Sequence, residues 1–483
     1  MKGDFSRDTF DPLRRFSRVL QQQGRVELDA DWNEQTAILL HYTRTLGADL
    51  MGPHAGATKT AFAIGPAVDD AGNPVHFDLS IAAGSYYVDG IPCVNAQALR
   101  FTKAYPGSQP EAATYLAYLD AWERAVGYLE APAVSGSGGY APTQVALADA
   151  ALGGVEASAR AQIVWRMRLV DPAKAAVAPG VPVTDFAKDD AGHRAFLEFL
   201  RNNRLSSPGT GALAASVSGF TDPAASNAPT GYRGPDNQLY RIEIHRPGPA
   251  WSAQPGGVTK DKAATFKWSR ENGSVAFAIA SAPEPGAIGT TRVKVVRLGL
   301  DRRLDLEPGD WVELIDDDHA LQRTAEPLLR VHDVDRSQLT VTLDGQPLTG
   351  LDMNKHPLLR RWDHGAMGSA AENMSAGAFL VQSEPTGKSL KLEHGLEVRF
   401  SSGADVFYQT GDYWLIAART NGEIELSPAL ITDAASTPAP GYVAPRGEQH
   451  HYAPAAVVTF DAIGNLTAVS LRRMVKQLWD VVP

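Results

Sequence analysis

The densest acidic cluster in the sequence is the run Asp316-Asp317-Asp318-His319, which follows a predicted strand. Three carboxylates and an imidazole within four residues could bind a hard cation or act in acid–base chemistry. However, consecutive residues of a loop point in different directions, and the alternating ligands and distant glutamate of an EF-hand loop are absent. A solvated turn therefore explains this run better than a metal site.

A second cluster that could bind a metal is the pair His450-His451. Neighbouring residues of an extended strand point to opposite faces of a sheet, so this pair cannot supply two ligands to one ion by itself. Zinc sites normally have more closely spaced ligands, and a core or interface role is therefore favoured. The distant histidines that could complete such a site are His245, His332, His356 and His364.

Two glutamates that lie beside arginines, Glu123 and Glu271, could form the carboxylate pair of a glycosidase. Arg–Glu ion pairs at strand ends and hairpins explain both positions better. The sequence contains no Gly-x-Ser-x-Gly elbow, phosphate-binding glycine-rich loop, His-Glu-x-x-His or Cys-x-x-Cys motif. We therefore predict no catalytic residue, no metal and no cofactor, and we do not expect an enzyme.

Composition limits the remaining functional classes. The chain has 483 residues, 44% of them hydrophobic, which is enough for two or three cores. Its net charge of −10 argues against a non-specific nucleic-acid-binding protein. The one cysteine, Cys93, excludes an intramolecular disulfide and is expected to be a packed thiol. No apolar run approaches the roughly 18 residues of a membrane-spanning helix.

The N-terminal region, residues 1–55, is the element most able to position a functional surface. Asp31 and Glu34 have the spacing of a capping box, which predicts a helix that begins near Asp31 and ends at Gly52-Pro53. At 100° per residue, one stripe of this helix carries Trp32, Leu39, Tyr42, Leu46 and Leu50. Such an apolar stripe needs a packing partner.

The segment before this helix, residues 1–28, mixes aromatic residues with charges of both signs. It is too short and too charged to form its own core, so its aromatic residues need a surface on this chain or on a neighbouring subunit. Both alternatives stay open. The segment lacks the apolar core of a signal peptide. The predicted interface residues are Phe5, Phe10, Phe16, Arg14, Arg15, Arg18, Trp32, Leu39 and Tyr42.

Several sequence blocks resemble one family. The opening blocks are MKGDFSRDTFDP at 1–12, FSRVL at 16–20 and QQGRVELDADWNEQ at 22–35. They resemble an uncharacterised family of proteins from gene clusters of phage-tail-like, extracellular contractile injection systems. The resemblance implies a particle subunit and no chemistry. It continues at 115–124, 239–245, 266–274, 411–414 and 450–454, whereas the Ala/Gly-rich stretches 130–160 and 171–231 depart from the family pattern.

Alternating apolar and polar residues predict a mainly β fold with two or more antiparallel sandwich-like or barrel-like domains, an N-terminal arm and helix, and a small helical insertion. Within the insertion, residues 189–205 have helical spacing. The predicted organisation is an arm and helix (1–55), a β domain (56–170), the insertion (171–231), a second β domain (232–430) and C-terminal strands that pack on the β body (431–483).

Two functions are consistent with this sequence. In the first, the protein is a structural subunit of a contractile injection particle, a multimeric assembly in which its partners are baseplate, spike or sheath proteins. Such a subunit would be assembled in the cytoplasm without a signal peptide, and the particle would be released or membrane-associated. In the second, the protein is a carbohydrate-binding or carbohydrate-cleaving tail module, whose exposed aromatic residues stack on sugar rings of cell-surface glycans.

Overall fold

The computed structural model describes residues 1–130, 148–149, 155–217, 231–252, 256–299, 301–347, 352–364, 374–382, 389–428 and 441–475. The chain forms two compact units, and both are discontinuous in sequence. Unit 1 contains residues 1–35, 125–161 and 208–448, and unit 2 contains residues 36–124, 162–207 and 449–483.

The α-helices within these ranges are α1 (Asp29–Met51), α2 (Phe101–Ala104), α3 (Asp190–Asn202) and α4 (Asp317–Gln322). None of them has the length and apolar character needed to cross a bilayer. Short 3-10 turns occur at Pro12–Arg14, Val183–Asp185 and Met353–Lys355.

Strands make up most of the regular structure in the described part of the chain. In chain order they are β1 (His54–Gly56), β2 (Ile64–Val68), β3 (Pro74–Ile81), β4 (Gly84–Val88), β5 (Ile91–Asn95), β6 (Leu99–Arg100), β7 (Thr114–Val126), β8 (Ala148–Asp149), β9 (Val155–Glu156), β10 (Arg160–Val170), β11 (Leu213–Ser216), β12 (Gln238–Ile244), β13 (Thr265–Ser269), β14 (Ala276–Ala278), β15 (Glu284–Pro285), β16 (Thr290–Lys294), β17 (Trp311–Ile315), β18 (Leu329–Asp335), β19 (Thr340–Asp344), β20 (Leu358–Trp362), β21 (Met374–Ser375), β22 (Ala378–Leu380), β23 (Leu390–Lys391), β24 (Glu397–Phe400), β25 (Tyr413–Ala418), β26 (Ile424–Leu426), β27 (His450–Phe460) and β28 (Leu466–Ser470).

Unit 1 contains a β-sandwich. Its larger sheet has the order β21-β22-β13-β12-β25-β26, and its smaller sheet has the order β11-β24-β23. The two sheets share one core, to which the larger sheet contributes Tyr240, Trp268 and Trp414 and the smaller sheet contributes Val398 and Phe400. This division of apolar residues between two facing sheets is typical of sandwich packing.

A third sheet of unit 1 curls into a barrel-like body. Its order is β14-β20-β17-β18-β19-β16-β15, and an antiparallel bridge between Ile279 and Val295 joins the ends of β14 and β16. Its interior is filled by branched and aromatic side chains that include Phe277, Val341 and Leu359. Closure by this bridge leaves the strands with few unpaired edges.

Unit 2 is organised around the sheet β10-β7-β27-β28, in which β7 and β27 are antiparallel neighbours. One face of these two strands contributes Leu119 and Ala453 to a core shared with the sheets β2-β3-β6 and β1-β4-β5. The other face carries Tyr118 and Tyr452, on which α3 packs through Phe196 and Phe199. The helix of the insertion is therefore buried within its own chain.

The prediction of a mainly β fold with several antiparallel sheets, an N-terminal helix and a small helical insertion is confirmed. The predicted insertion extends into residues 218–230, which lie outside the described ranges. Whether the five predicted segments fold as separate domains stays a prediction.

Candidate interaction surface

The first ten residues are held against the larger sandwich sheet of unit 1. The Met1 amino group donates to the Tyr413 hydroxyl, and Asn272 Nδ2 donates to the carbonyl oxygens of Met1 (3.0 Å) and Gly3 (2.9 Å). Lys2 Nζ lies 3.2 Å from Glu243 Oε2. These contacts fix the start of the arm on its own unit.

The two phenylalanines of this anchored segment differ from each other in their contacts. Phe5 packs against an apolar cluster of the sheet that includes Leu239 and Tyr413. Phe10 is half-buried, and its carbonyl oxygen accepts from the guanidinium of Arg446. The same guanidinium binds the Asp8 carboxylate at 2.5 Å. Phe5 is thus used inside the subunit, and a role for it in an interface stays a prediction.

The chain leaves the sheet after Asp11, which caps the short turn Pro12–Arg14 by accepting from the Leu13 amide at 2.9 Å. Arg15 follows in the left-handed conformation with φ of 57°. The predicted interface residues Arg14, Arg15, Phe16 and Arg18 are all exposed, and the Arg14 guanidinium lies over the Phe16 ring at 5.1 Å.

Helix α1 begins at Asp29, two residues before the position that the capping-box pattern predicted. The Asp29 carboxylate accepts from the Ser6 amide (2.9 Å) and hydroxyl (2.5 Å), and the Glu34 carboxylate accepts from the Thr9 hydroxyl (2.5 Å). The predicted box at Asp31 and Glu34 is wrong because the anchored arm, distant in sequence, supplies these hydrogen-bond donors. The predicted end is right, since Gly52 follows Met51 with φ of 80°.

The second half of α1 is held firmly within unit 2. Both terminal nitrogens of Arg44 donate to the Glu123 carboxylate, at 2.9 and 2.7 Å. Gly47 lies against Gly90, because a Cβ built on Gly47 would be 3.3 Å from the Gly90 Cα atom. This bidentate pair and this close backbone approach fix which face of the helix points inward.

The opposite face of α1 is exposed. The side chains of Leu39, Tyr42, Leu46 and Leu50 have exposed fractions of 50% to 77%, and that of Trp32, on the same line, is 63% exposed. Ala30 and Ile38, on the other face, are each 1% exposed. We call the residues Trp32, Leu39, Tyr42, Leu46 and Leu50 the α1 stripe. Three members of the stripe, Trp32, Leu39 and Tyr42, are predicted interface residues. The same helical spacing predicted Leu46 and Leu50 as further members.

The side chains of the acidic run 316–319 are bound by other residues of unit 1 and by one another. Asp316 caps α4 and binds His319 Nδ1 at 2.7 Å, Asp317 binds His356 Nδ1 at 2.7 Å, and Asp318 pairs with Lys355. The Asp316 carboxylate accepts from His319 Nδ1 and, together with Glu326, raises the pKa of His319. Across the described residues, no three histidine, cysteine or acidic side chains are grouped so as to hold a metal ion.

The histidine pair His450-His451 divides between two environments, as the strand period predicts. His450 is buried, donates from Nδ1 to the Asp120 carboxylate at 2.5 Å, and stacks on Trp122 with 4.7 Å between the ring centres, whereas His451 binds Asp89 at 2.9 Å. Burial opposes ionisation of Asp120, but His450 and Arg168 outweigh it and lower the pKa to about 2. The pair has a structural role within unit 2.

Each glutamate that could act in a glycosidase is bound by an arginine. Glu123 accepts both hydrogen bonds from Arg44, and Glu271 accepts two from Arg303, at 2.7 and 3.0 Å.

Cys93 is buried, and burial raises the pKa of its thiol to about 12, so the thiol is protonated at neutral pH.

A small polar pocket of about 160 Å³ in unit 1 has a lining of four arginines and four acidic residues. Its charges are already paired: Arg270 binds Glu393 at 2.6 Å and Asp363 at 3.0 Å, and Arg303 binds Glu271. The lining is Arg270, Glu271, Arg302, Arg303, Glu307, Asp310, Arg361 and Asp363. This balance favours neither an anion nor a cation.

The sequence analysis missed a buried charge network in unit 1. Lys267 Nζ lies between Glu313 (2.6 and 2.8 Å) and Glu243 (3.4 Å), and Arg241 Nε donates to Glu243 at 2.5 Å. Burial opposes ionisation of Glu243, but Lys2, Arg241 and Lys267 outweigh it and hold its pKa well below the ordinary value. Alternation in β12 separates Arg241 and Glu243 from the apolar side chains, but no local sequence signal shows that this charged face is covered.

Comparison with known proteins identifies a family. No curated protein matches the chain. A solved structure titled "Crystal structure of TssK" aligns with 81% of this chain and 99% of its own at 10% identity, and its TM-score of 0.15 supports no inference about fold or function. A model described as a family of unknown function, DUF6519, matches residues 1–203 and 194–465. Because these matches span most of the sequence, the chain belongs to the DUF6519 family.

Proposed function

We propose that this protein is a structural subunit of a phage-tail-like contractile injection particle, which it joins through the segment from Leu13 to Leu50. One observation carries the proposal. Of the 22 large apolar side chains that are exposed in the described part of the chain, 11 lie between Leu13 and Leu50. Exposed apolar residues concentrated in this way are typical of protein–protein interfaces.

The construction of this segment also favours docking. Residues 1–10 bind the sheet of unit 1, and the second half of α1, which carries Leu39, Tyr42, Leu46 and Leu50, is bound within unit 2. A surface that is already ordered loses less conformational entropy on binding. The segment also exposes Arg14, Arg15 and Arg18, and arginine is enriched in interfaces.

The class of particle comes from the sequence blocks that resemble proteins of contractile injection clusters. The densest of these blocks, 1–12, 16–20 and 22–35, fall in the same segment that carries the anchored arm and the start of the exposed surface. On this proposal the β bodies act as rigid spacers, and the partners are baseplate, spike or sheath proteins in a multimeric particle assembled in the cytoplasm.

The test is a chain that carries Leu39→Ser, Leu46→Ser and Leu50→Ser. We expect it to fold with an unchanged melting temperature, because these side chains are exposed, and to be at least tenfold depleted from purified particles, since each lost apolar contact is worth about 1 kcal/mol or more. Immunoblotting of purified particles against the soluble fraction measures this depletion.

The matched control carries Ile288→Ser and Ile463→Ser, which replace exposed apolar side chains outside the segment. It should enter particles normally. Normal incorporation of the triple variant would refute docking through α1.

The carbohydrate alternative has less support. Among the described tryptophans only Trp32 is exposed by more than half, and the side chains of Trp122, Trp268, Trp362 and Trp414 are fully buried. Glu123 and Glu271 are both occupied by arginines. Binding of the purified chain on a glycan array that is lost in Trp32→Ala would revive this alternative.

A further inference from the structure

We infer that His54 and His193 form an acid-sensitive latch, which holds α3 against β1 at neutral pH and releases the helix when the two rings are protonated. The latch lies within unit 2 and does not depend on the docking surface proposed above. It follows from the contact between the two rings, from their hydrogen bonds and from the charges around them.

The two histidines meet in the interior of unit 2. His54 lies on β1 and is 0% exposed, and His193 lies near the start of α3 and is 6% exposed. Their ring centres are 5.4 Å apart, and the ring planes are tilted by 38°. The His193 ring also contacts Phe196, one of the residues through which α3 packs on the sheet. The histidine pair is therefore part of the interface under α3.

Hydrogen bonding favours neutral rings. His54 Nδ1 lies 2.8 Å from the Tyr86 hydroxyl, which also accepts from the Arg473 amide at 3.3 Å. His54 Nε2 and His193 Nδ1 are buried, and neither has a hydrogen-bond partner among the described residues. A neutral imidazole can carry a lone pair at such a position, whereas an imidazolium carries a charged N–H donor there. Because a buried donor without an acceptor is costly, protonation of either ring weakens the interface.

The charges near the pair act in both directions. The guanidinium of Arg473 opposes a positive charge on both rings, and each ring opposes a charge on the other. The carboxylates of Asp89 and Asp190 favour a positive charge on His193. The Asp89 carboxylate is also bound by His451, at 2.9 Å. Protonation of both rings would thus place three cations together in a buried site.

Burial has the largest effect on the pKa values of both histidines. It lowers the pKa of His193 despite the two carboxylates, and with the charges of His193 and Arg473 it lowers the pKa of His54 to about 3. A histidine in water binds its proton near pH 6.5. The released form therefore binds more protons than the docked form, and release becomes more favourable as pH decreases from about 6.5.

Helix α3 is the element that yields. Strand β1 is fixed by main-chain hydrogen bonds, to β4 on one side and to the segment around Arg473 on the other. Helix α3 instead packs through side chains such as Phe196 and Phe199, on a face that carries Tyr118 and Tyr452. Elements with fewer main-chain bonds to their neighbours open locally at lower free energy. Acid would therefore uncover an aromatic face of unit 2.

Hydrogen exchange of the full chain at pH 7 and pH 5, measured by mass spectrometry and corrected for the pH dependence of chemical exchange, tests the latch. We expect the protection of the α3 amides to fall at least about tenfold, because each histidine with a lowered pKa contributes up to tenfold per pH unit. The amides of β7 and β27, which lie beneath α3, should keep their protection. A dye that binds exposed apolar surface should fluoresce more strongly at pH 5.

Two variants assign the effect to the histidine pair. His193→Gln and His54→Gln each replace one ring that can gain a charge with a neutral polar side chain, so α3 should lose less protection at pH 5 than in the parent chain. Either variant is sufficient if the other fails to fold. The comparison variant is His76→Gln, which replaces an exposed histidine of the same unit.

Three results would overturn the latch. The first is equal protection of α3 at pH 7 and pH 5 in the parent chain. The second is a loss of protection in β7 and β27 that matches the loss in α3, since the whole unit would then unfold. The third is a loss at pH 5 that is the same in His193→Gln, His54→Gln and the parent chain, because other groups would then cause it.

Discussion

Lys267 is the residue on which the buried charges of unit 1 converge. Its ammonium group contacts Glu313 and Glu243 and lies 4.5 Å from the centre of the Trp362 ring. Burial opposes ionisation of Glu313, but Lys267 outweighs it and lowers the pKa of this carboxyl group. Removal of one charge would therefore leave the others buried and unbalanced.

We expect Glu313→Gln to reduce the free energy of unfolding by about 3–5 kcal/mol, because the Lys267 charge would lose its nearest partner. Urea denaturation followed by tryptophan fluorescence measures this change. The control is Glu284→Gln, whose exposed pair with Arg292 at 3.3 Å should be worth less than about 1 kcal/mol. Equal effects of the two substitutions would contradict the network.

The environment of His364 makes folding stability depend on pH. Its Nε2 accepts from the Trp268 amide at 3.3 Å and its Nδ1 bonds the Gly377 carbonyl at 3.1 Å, so the neutral ring fits. Burial lowers its pKa to about 3. The unfolded chain binds this proton near pH 6.5, whereas the folded chain does not, so folding stability falls as pH decreases from about 6.5 towards 3.

We expect His364→Gln to flatten the loss of stability between pH 6.5 and pH 5 by up to about 1.4 kcal/mol per pH unit. Urea denaturation at several pH values measures the slope. The comparison variant is His332→Gln, which replaces an exposed histidine that pairs with Asp344. A slope that is identical in His364→Gln and the parent chain would show that this ring does not stay neutral.

Residue identities alone could not predict these environments. Alternation in β12 correctly separates Tyr240 and Ile242 from Arg241 and Glu243, but every residue of β12 is buried. The charged face is covered by the N-terminal arm and by Glu313, which are distant in sequence. Period-two patterns report the two faces of a strand and do not report what covers them.

At the scale of elements, α1 shows how far local sequence determines a surface. Helical spacing predicted the α1 stripe and the stop at Gly52, because both follow from residues within the helix. The pattern also predicted the start of the helix to within two residues, but not the contacts at its first turns, since Ser6 and Thr9 reach them from the folded arm. Which face of the helix points inward also could not be predicted from the helix alone, because the turn at Gly90 determines it.

Gly90 should be essential for the docking of α1. Its φ is +76°, and a Cβ at this position would lie 2.2 Å from the Arg44 carbonyl oxygen. We expect Gly90→Ala to push the helix away and to increase hydrogen exchange of the α1 amides. The expected loss of stability is roughly 1–3 kcal/mol beyond the cost of the backbone conformation.

Gly72→Ala is the matched control for Gly90→Ala. Gly72 has a similar φ of +84°, but no atom lies within 4 Å of its Cβ position, so only the conformational cost of about 1 kcal/mol applies. Equal hydrogen exchange of α1 in both variants would contradict the importance of this contact.

At the scale of the whole molecule, the chain passes between its two compact units five times, after Gln35, Arg124, Ala161, Ser207 and Glu448. Residues far apart in sequence therefore meet within each unit, as in the pairing of His450 with Trp122. The sequence predicted the strands from local alternation. It could not predict the pairs that join distant strands, such as β7 with β27 and β12 with β25, because these pairs carry no local signal.

The anchored arm should contribute to the stability of unit 1. We expect deletion of residues 1–10 to lower the free energy of unfolding by at least about 3 kcal/mol, since it uncovers the apolar cluster around Tyr413 and removes the Asp8 carboxylate from the buried Arg446. Calorimetry measures the change. The control, Leu20→Ser, alters only an exposed side chain of the following loop and should have little effect. An unchanged melting temperature after the deletion of residues 1–10 would show that the arm is dispensable for folding.

The burial of Cys93 has a practical consequence. Since the natural thiol is enclosed and protonated, a second cysteine introduced at an exposed position would be the one that reacts with maleimide reagents at neutral pH. The protein can therefore carry a fluorophore or nitroxide at a chosen site without prior removal of its native cysteine. Spectroscopic distances between labelled subunits of an assembly then become accessible with single substitutions.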